Sequence, residues 1–203
     1  MDHDEATQFA HKRKMEKQKD RVDAKIAEAT EERGIVILIT GNGKGKTTSA
    51  FGMIMRCLGY GHKVGLVQFI KGKQHSGEEL FLKERHPDVT FYQMGTGFTW
   101  DTQDKAGDIA AAERTWVHAE AMLKDASLHL VVLDELTYML GFKYLDDDMI
   151  LDAIRNRPPE QTVVVTGRGG GSAIRELADT VADIESVKHA YDSGVKAREG
   201  IDF

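Results

Sequence analysis

Apolar residues fall into five short runs separated by longer charged or amphipathic stretches. Ile35-Val36-Ile37-Leu38-Ile39 is continuous and mostly β-branched. It is too short for a helix and too apolar for a strand with one wet face, so it predicts a central parallel strand covered on both sides. Similar runs follow at Lys63–Ile70, Val89–Met94, Leu128–Leu133 and Thr162–Thr166. Helical stretches lie between them: Lys46–Leu58, Gly77–Arg85 ending ahead of Pro87, the alanine-rich Lys105–Asp125, Asp146–Asn156 ending ahead of Pro158-Pro159, and Ser172–Leu177. The residue before a proline is biased away from helix, which sets those two ends. Strand–helix alternation predicts an α/β fold, a mostly parallel doubly wound sheet. Right-handed crossovers then place helices on both faces.

The first 33 residues break this pattern. They carry 8 basic and 9 acidic side chains and have neither Gly nor Pro. Met15, Val22, Ile26 and Ala29 make only a thin apolar stripe. Residues 1–33 therefore read as a charged helix without a core, either a solvated tail or an extension that docks as a lid or subunit contact. Residues 34–203 read as one nucleotide-binding domain.

Over the whole chain, 203 residues with 41% hydrophobic and 30% charged side chains are enough for one packed domain. The formal charge of −6 disfavours nucleic-acid and membrane-surface binding. Cys57 is the one cysteine, which excludes an intrachain disulfide and a multi-cysteine zinc site. No apolar run approaches the ~20 residues that span a bilayer, and the N-terminus is too charged for a secretory signal. The expected location is the cytoplasm.

The first strand runs into Thr40-Gly41-Asn42-Gly43-Lys44-Gly45-Lys46-Thr47-Thr48, with a helix after it. This matches the end of the phosphate-loop pattern G-x-x-x-x-G-K-[ST], with Thr40 where the first glycine is usual. Glycines let backbone N–H groups turn toward phosphate oxygens, and the helix offers its positive end to the same anion. Lys46 brings a full charge, Lys44 a second cation, and the Thr47 hydroxyl is a hard oxygen suited to Mg²⁺. The partner signal is Leu128-His129-Leu130-Val131-Val132-Leu133-Asp134-Glu135, an apolar strand ending in two carboxylates, one of which is expected to face the metal. Arg168, after the last predicted strand, is expected at the nucleotide end of the sheet, because open α/β sheets bind ligands at the carboxyl ends of their strands. Together these residues predict a nucleoside-triphosphate site but not the reaction.

Further segments narrow it: TGNGKGKTTSAF at 40–51, VQFIKG at 67–72, GTGFTWDTQD at 95–104, LDELTYM at 133–139, TGR at 166–168 and VKHAYDSGVKAREGIDF at 187–203. In this order they resemble the ATP:corrinoid adenosyltransferases of the CobA/BtuR type over nearly the whole chain. The resemblance implies a RecA-like fold and transfer of the 5′-deoxyadenosyl group of ATP to the cobalt of a reduced corrinoid, with inorganic triphosphate leaving. It implies ATP lying in the loop in a reversed sense, a homodimer, and a flavoprotein reductase as electron donor. Gly41 to Thr48 and Arg168 would hold the nucleotide, Thr47 with Glu135 or Asp134 the Mg²⁺, and Lys46 would stabilise the leaving triphosphate. Phe98 and Trp100, at i and i+2 of a Gly-rich segment, would line the lower face of the corrin and exclude its axial ligand. Without the resemblance, those aromatics read rather as core residues.

Two other readings remain from the residues themselves. One is a RecA-like NTPase or small-molecule kinase acting at the γ-phosphate, with Glu135 orienting a water; the other is a nucleotide-dependent binding module without turnover. Trp116 and Cys57 read as core residues, and Asp146-Asp147-Asp148 as a helix start favoured by the helix dipole.

Overall fold

The computed structural model describes residues 3–70, 75–95 and 104–202. It divides into two compact units, Met1–Glu32 and Arg33–Phe203. The first unit is a helix, α1 (His3–Glu28), whose charged sequence supplies no core of its own. Phe98 and Trp100 lie outside the described residues.

The second unit is built on a parallel sheet of β1 (Val36–Thr40), β2 (Val64–Gln68), β3 (Thr90–Gln93), β4 (Leu130–Asp134), β5 (Thr162–Thr166) and β6 (Thr180–Asp183). Their order is β3-β2-β4-β5-β1-β6, and each neighbouring pair is parallel. The helices are α2 (Lys46–Gly59), α3 (Gly77–Arg85), α4 (Lys105–Lys124), α5 (Leu136–Gly141), α6 (Asp147–Arg155) and α7 (Ser172–Leu177). Side chains of a strand alternate between faces, so the sheet splits its apolar residues between two cores. Val131, Leu133, Val163 and Val165 pack with α4, α5, α6 and α7, including Trp116, Leu136 and Ile154. Leu66, Leu130, Val132 and Val164 pack on the other face with Ala50, Phe51 and Ile54 of α2 and Leu82 of α3. Burial on both faces is why the central strands read as unbroken apolar runs.

The strand β5 lies between the strand before the glycine loop (β1) and the strand ending in Asp134 (β4). This is the RecA-like arrangement of a P-loop α/β fold. It brings Thr40, Thr166 and Asp134 to one edge of the sheet, since all these strands point the same way.

Where the structure departs from the sequence patterns, the causes are local. The strand β6 is exposed along all four residues, so no apolar run marks it. The helix α5 is six residues long and starts directly after Glu135, too short to show a period. Elsewhere the ends hold closely: Ser76 caps α3 by accepting from the Glu79 N–H, and Asp146 caps α6 by accepting from the Met149 N–H, as short polar side chains at a helix start do. Trp116 is buried, as expected of a core residue.

Candidate active site at the carboxyl edge of the sheet

The chain leaves β1 at Thr40 and turns sharply through glycines. Gly41 and Gly45 have φ of 96° and 116°, conformations that side-chain-bearing residues rarely adopt. A Cβ at Gly43 would meet the carbonyl oxygens of Ile184 and Glu185. The Gly43 N–H donates to the Ile184 carbonyl at 2.6 Å and the Ile184 N–H to the Thr40 carbonyl at 2.9 Å. The segment after β6 thus braces the loop from beneath, and only glycine fits that approach.

The helix α2 begins at Lys46 with Gly45 as its N-cap. The Lys46 side chain is buried, and its ammonium donates to the Gly43 carbonyl at 2.7 Å. Burial first, and then Arg168, push its pKa below the ordinary lysine value, while Glu135 and Asp134 hold it up. An anion in this loop would relieve that strain.

Asp134, at the end of β4, is buried and well satisfied. Its Oδ1 accepts from the Thr47 hydroxyl at 3.1 Å and from the Thr166 hydroxyl at 2.6 Å. Its Oδ2 accepts from the Gln68 amide at 2.9 Å. Glu135 is held differently. Its backbone sits in the left-handed region at φ 59°, where a non-glycine residue is strained. Its N–H donates to the Thr166 hydroxyl oxygen at 2.9 Å. Its Oε2 is buried without a hydrogen-bond partner. Burial, and then the neighbouring Asp134 carboxylate, push its pKa up to about 7, against the pull of Lys46 and Arg168.

These groups open onto a pocket of about 540 Å³ lined by Asn42 to Thr48, Gly77, Glu78, Glu135, Arg168, His189 and Gly200 to Asp202. Every expected nucleotide residue from Asn42 to Thr48 is brought there, as are Arg168 and Glu135. Gly41 lies just behind, shaping the turn. Asp134 sits behind Thr47 rather than on the pocket wall.

Several contributors were not singled out from sequence. Thr166 and Gln68 fall within the motifs TGR and VQFIKG, but only the pairing of strands carries them to Asp134. Glu78 comes from the start of α3. His189 and Asp202 come from the C-terminal segment, where the Lys44 ammonium donates to the Asp202 carboxylate. The motif VKHAYDSGVKAREGIDF was the available signal for these two.

The donor set around Thr47 is a hydroxyl and two carboxylates, all hard oxygens that suit Mg²⁺. The orphaned Oε2 of Glu135 is a carboxylate oxygen without a partner, which a cation would satisfy. Among the described residues no group of three or more His, Cys, Asp or Glu could hold a metal alone. Phosphate and water oxygens, the usual partners of Mg²⁺, would complete such a site.

Among the described residues no helix is long and apolar enough to cross a membrane. Residues 32–203 match the family model of ATP:corrinoid adenosyltransferase BtuR/CobO/CobP. A corrinoid adenosyltransferase from Escherichia coli K12 is 52% identical over 193 residues, covering 95% of this chain and 97% of that protein. Corrinoid adenosyltransferase CobA from Salmonella typhimurium is also 52% identical over 193 residues, with the same two coverages. A corrinoid adenosyltransferase from Pseudomonas aeruginosa is 50% identical, covering 95% of each chain. On a match of this extent, the chain belongs to the ATP:corrinoid adenosyltransferase family, transferases that adenosylate corrinoids with ATP.

Proposed function

We propose that this enzyme transfers the 5′-deoxyadenosyl group of ATP to the Co(I) of a reduced corrinoid and releases inorganic triphosphate. The observation that carries the site assignment is the meeting of the buried Lys46, Thr47 and the unpaired Glu135 Oε2 at one pocket. In the step itself, the cobalt electron pair forms a bond to C5′. The C5′–O bond breaks, and its electron pair leaves with the triphosphate. Co(I) is already a strong nucleophile, so no general base is required of the protein.

Its work is to place C5′ and to stabilise the departing charge, and alignment of reacting atoms contributes several kcal/mol. Lys46, Lys44 and Arg168 supply positive charge, and the loop from Gly41 to Thr48 with the start of α2 cradles the phosphates. Thr47 and Glu135 would hold Mg²⁺, with Asp134 orienting the Thr47 hydroxyl from behind. The ion, when bound, supplies further charge stabilisation on the phosphate oxygens. Phe98 and Trp100 are proposed to line the lower corrin face, so that four-coordinate Co(II) is reduced by a weak donor such as a flavoprotein. That role, the homodimer, the cytoplasmic location and the action of α1 as a lid or subunit contact rest on the likeness of sequence to the family.

The test is an anaerobic incubation with MgATP and chemically reduced corrinoid, read by visible spectrum and phosphorus NMR. The expected result is a light-sensitive alkylated corrinoid with one triphosphate per turnover. ADP and orthophosphate with an unchanged corrinoid would contradict the proposal and favour chemistry at the γ-phosphate.

A further inference from the structure

His189 lines the phosphate pocket, and the mechanism above does not use it. It reaches that wall on a segment pinned to the glycine loop at two places. Ahead of it, the Gly43 N–H donates to the Ile184 carbonyl at 2.6 Å. Behind it, Asp202 accepts from the Lys44 ammonium through one oxygen and from the Arg198 N–H at 2.8 Å through the other. Between these points His189 is half-buried, while Lys188 and Ala190 on either side of it are exposed. It also begins a short 3₁₀ turn, Ala190–Ser193, as its N-cap.

The cap decides which ring nitrogen carries the hydrogen. The Tyr191 N–H donates to His189 Nδ1 at 3.1 Å. A backbone N–H can only donate, so Nδ1 is the accepting nitrogen. A neutral imidazole that accepts at one nitrogen carries its hydrogen on the other. The hydrogen of His189 is therefore on Nε2, and among the described residues no acceptor meets it. The ring so fixed stands at a pocket that Lys44, Lys46 and Arg168 also line. Lys44 already serves Asp202, and Lys46 the Gly43 carbonyl. An incoming phosphate must share both of those ammonium groups. The Nε2–H needs no such exchange.

We propose that His189 is a substrate-binding residue whose Nε2–H donates to a phosphate oxygen of ATP and of the departing triphosphate. Hydrogen bonds to charged acceptors are the strong ones, and this donor is unengaged before the anion arrives. The inference deepens the reading above and rests on it for a triphosphate in the loop.

The test is calorimetric titration of the full chain with inorganic triphosphate, on two variants that each keep one half of the imidazole. Asparagine is a good N-cap, so His189→Asn keeps an acceptor for the Tyr191 N–H and loses the distal donor. His189→Gln keeps a donor near the place of Nε2 and gives up the cap. The expected result is binding about tenfold weaker in His189→Asn and less than about threefold weaker in His189→Gln. A residue that only caps the turn predicts the reverse order. Unchanged binding in His189→Asn, or equal weakening in both variants, would overturn the proposal. A ¹⁵N-histidine spectrum of the wild type gives a second readout, assigned by the signal that His189→Asn removes. Nε2 should carry the hydrogen before ligand is added, and its proton should move downfield with saturating triphosphate. A hydrogen on Nδ1, or an Nε2–H that does not move, would also overturn the proposal. Thermal melts confirm that each variant is folded. Triphosphate binding needs neither corrinoid nor turnover. A wild-type chain that bound triphosphate but made no adenosylated corrinoid would sink the proposed reaction while leaving this result standing.

Discussion

Glu79 and Glu135 are two carboxylates withdrawn from water near one pocket, and the fold treats them in opposite ways. Glu79 lies mid-turn in a capped helix, is met by the Lys83 and His75 side chains, and has its pKa brought down to about 2. Glu135 sits on a strained left-handed backbone beside a second carboxylate, with one oxygen unpartnered and its pKa raised to about 7. Buried polar groups in folded proteins are nearly always paired. A satisfied carboxylate is part of the scaffold; an unsatisfied one, facing a pocket with three cations around it, is the one on which the proposed metal site rests. Strain of this kind recurs at functional sites.

The largest expected effect comes from the cation that faces Glu135. Lys46→Ala is expected to lower kcat/KM by about a thousandfold, as loss of a charge aimed at the developing anion does, measured by initial rates of corrinoid alkylation. Glu135→Gln should cost about a hundredfold in the same assay, and it should raise the melting temperature at pH 8. That combination, less active but more stable, is the mark of a strained functional group. Glu79→Ala should show the reverse balance. It removes a buried carboxylate that Lys83 and His75 meet and is expected to cost about 2 kcal/mol of stability, measured by denaturant unfolding.

The two residues also predict opposite pH behaviour. Glu135 has a folded pKa above its ordinary 4.5. Its contribution to stability is therefore full below about 4.5 and is lost as pH rises through about 7. The melting-temperature gain of Glu135→Gln should grow across that window and then level off. Glu79 is depressed, so its contribution is present above 4.5 and is lost as pH falls toward about 2. Acid titration of melting temperature in wild type and Glu79→Gln would reveal it. The smallest effect is expected at Lys44–Asp202, a pair with side chains 45% and 25% exposed. Asp202→Asn should leave the melting temperature nearly unchanged.

Much of this was legible in the sequence, for identifiable reasons. The stretch from Leu130 to Asp134 reads as a strand because both its faces are buried, and its terminal acids stand out against an apolar run. The loop from Gly41 to Thr48 is legible because phosphate binding demands glycines at fixed places before a helix. The strand β6 left no trace because an exposed edge imposes no apolar pattern on Thr180 to Asp183. Thr166 and Gln68 were illegible as a group for a different reason. Their partnership depends on which strands lie side by side, and that is a property of the sheet, not of any one segment. Asp134 and Glu135 are adjacent in the chain and looked interchangeable as metal ligands. The fold separates them, sinking one behind Thr47 and leaving the other at the pocket.

The most direct test of the account follows the carbon that is attacked. ATP labelled with ¹³C at C5′ would be incubated anaerobically with Mg²⁺, reduced corrinoid and the enzyme, and the products read by carbon and phosphorus NMR. Attack at C5′ predicts a labelled carbon bonded to cobalt and an equal amount of triphosphate. A label that stays in ADP, with phosphate released and no alkylated corrinoid, would contradict it.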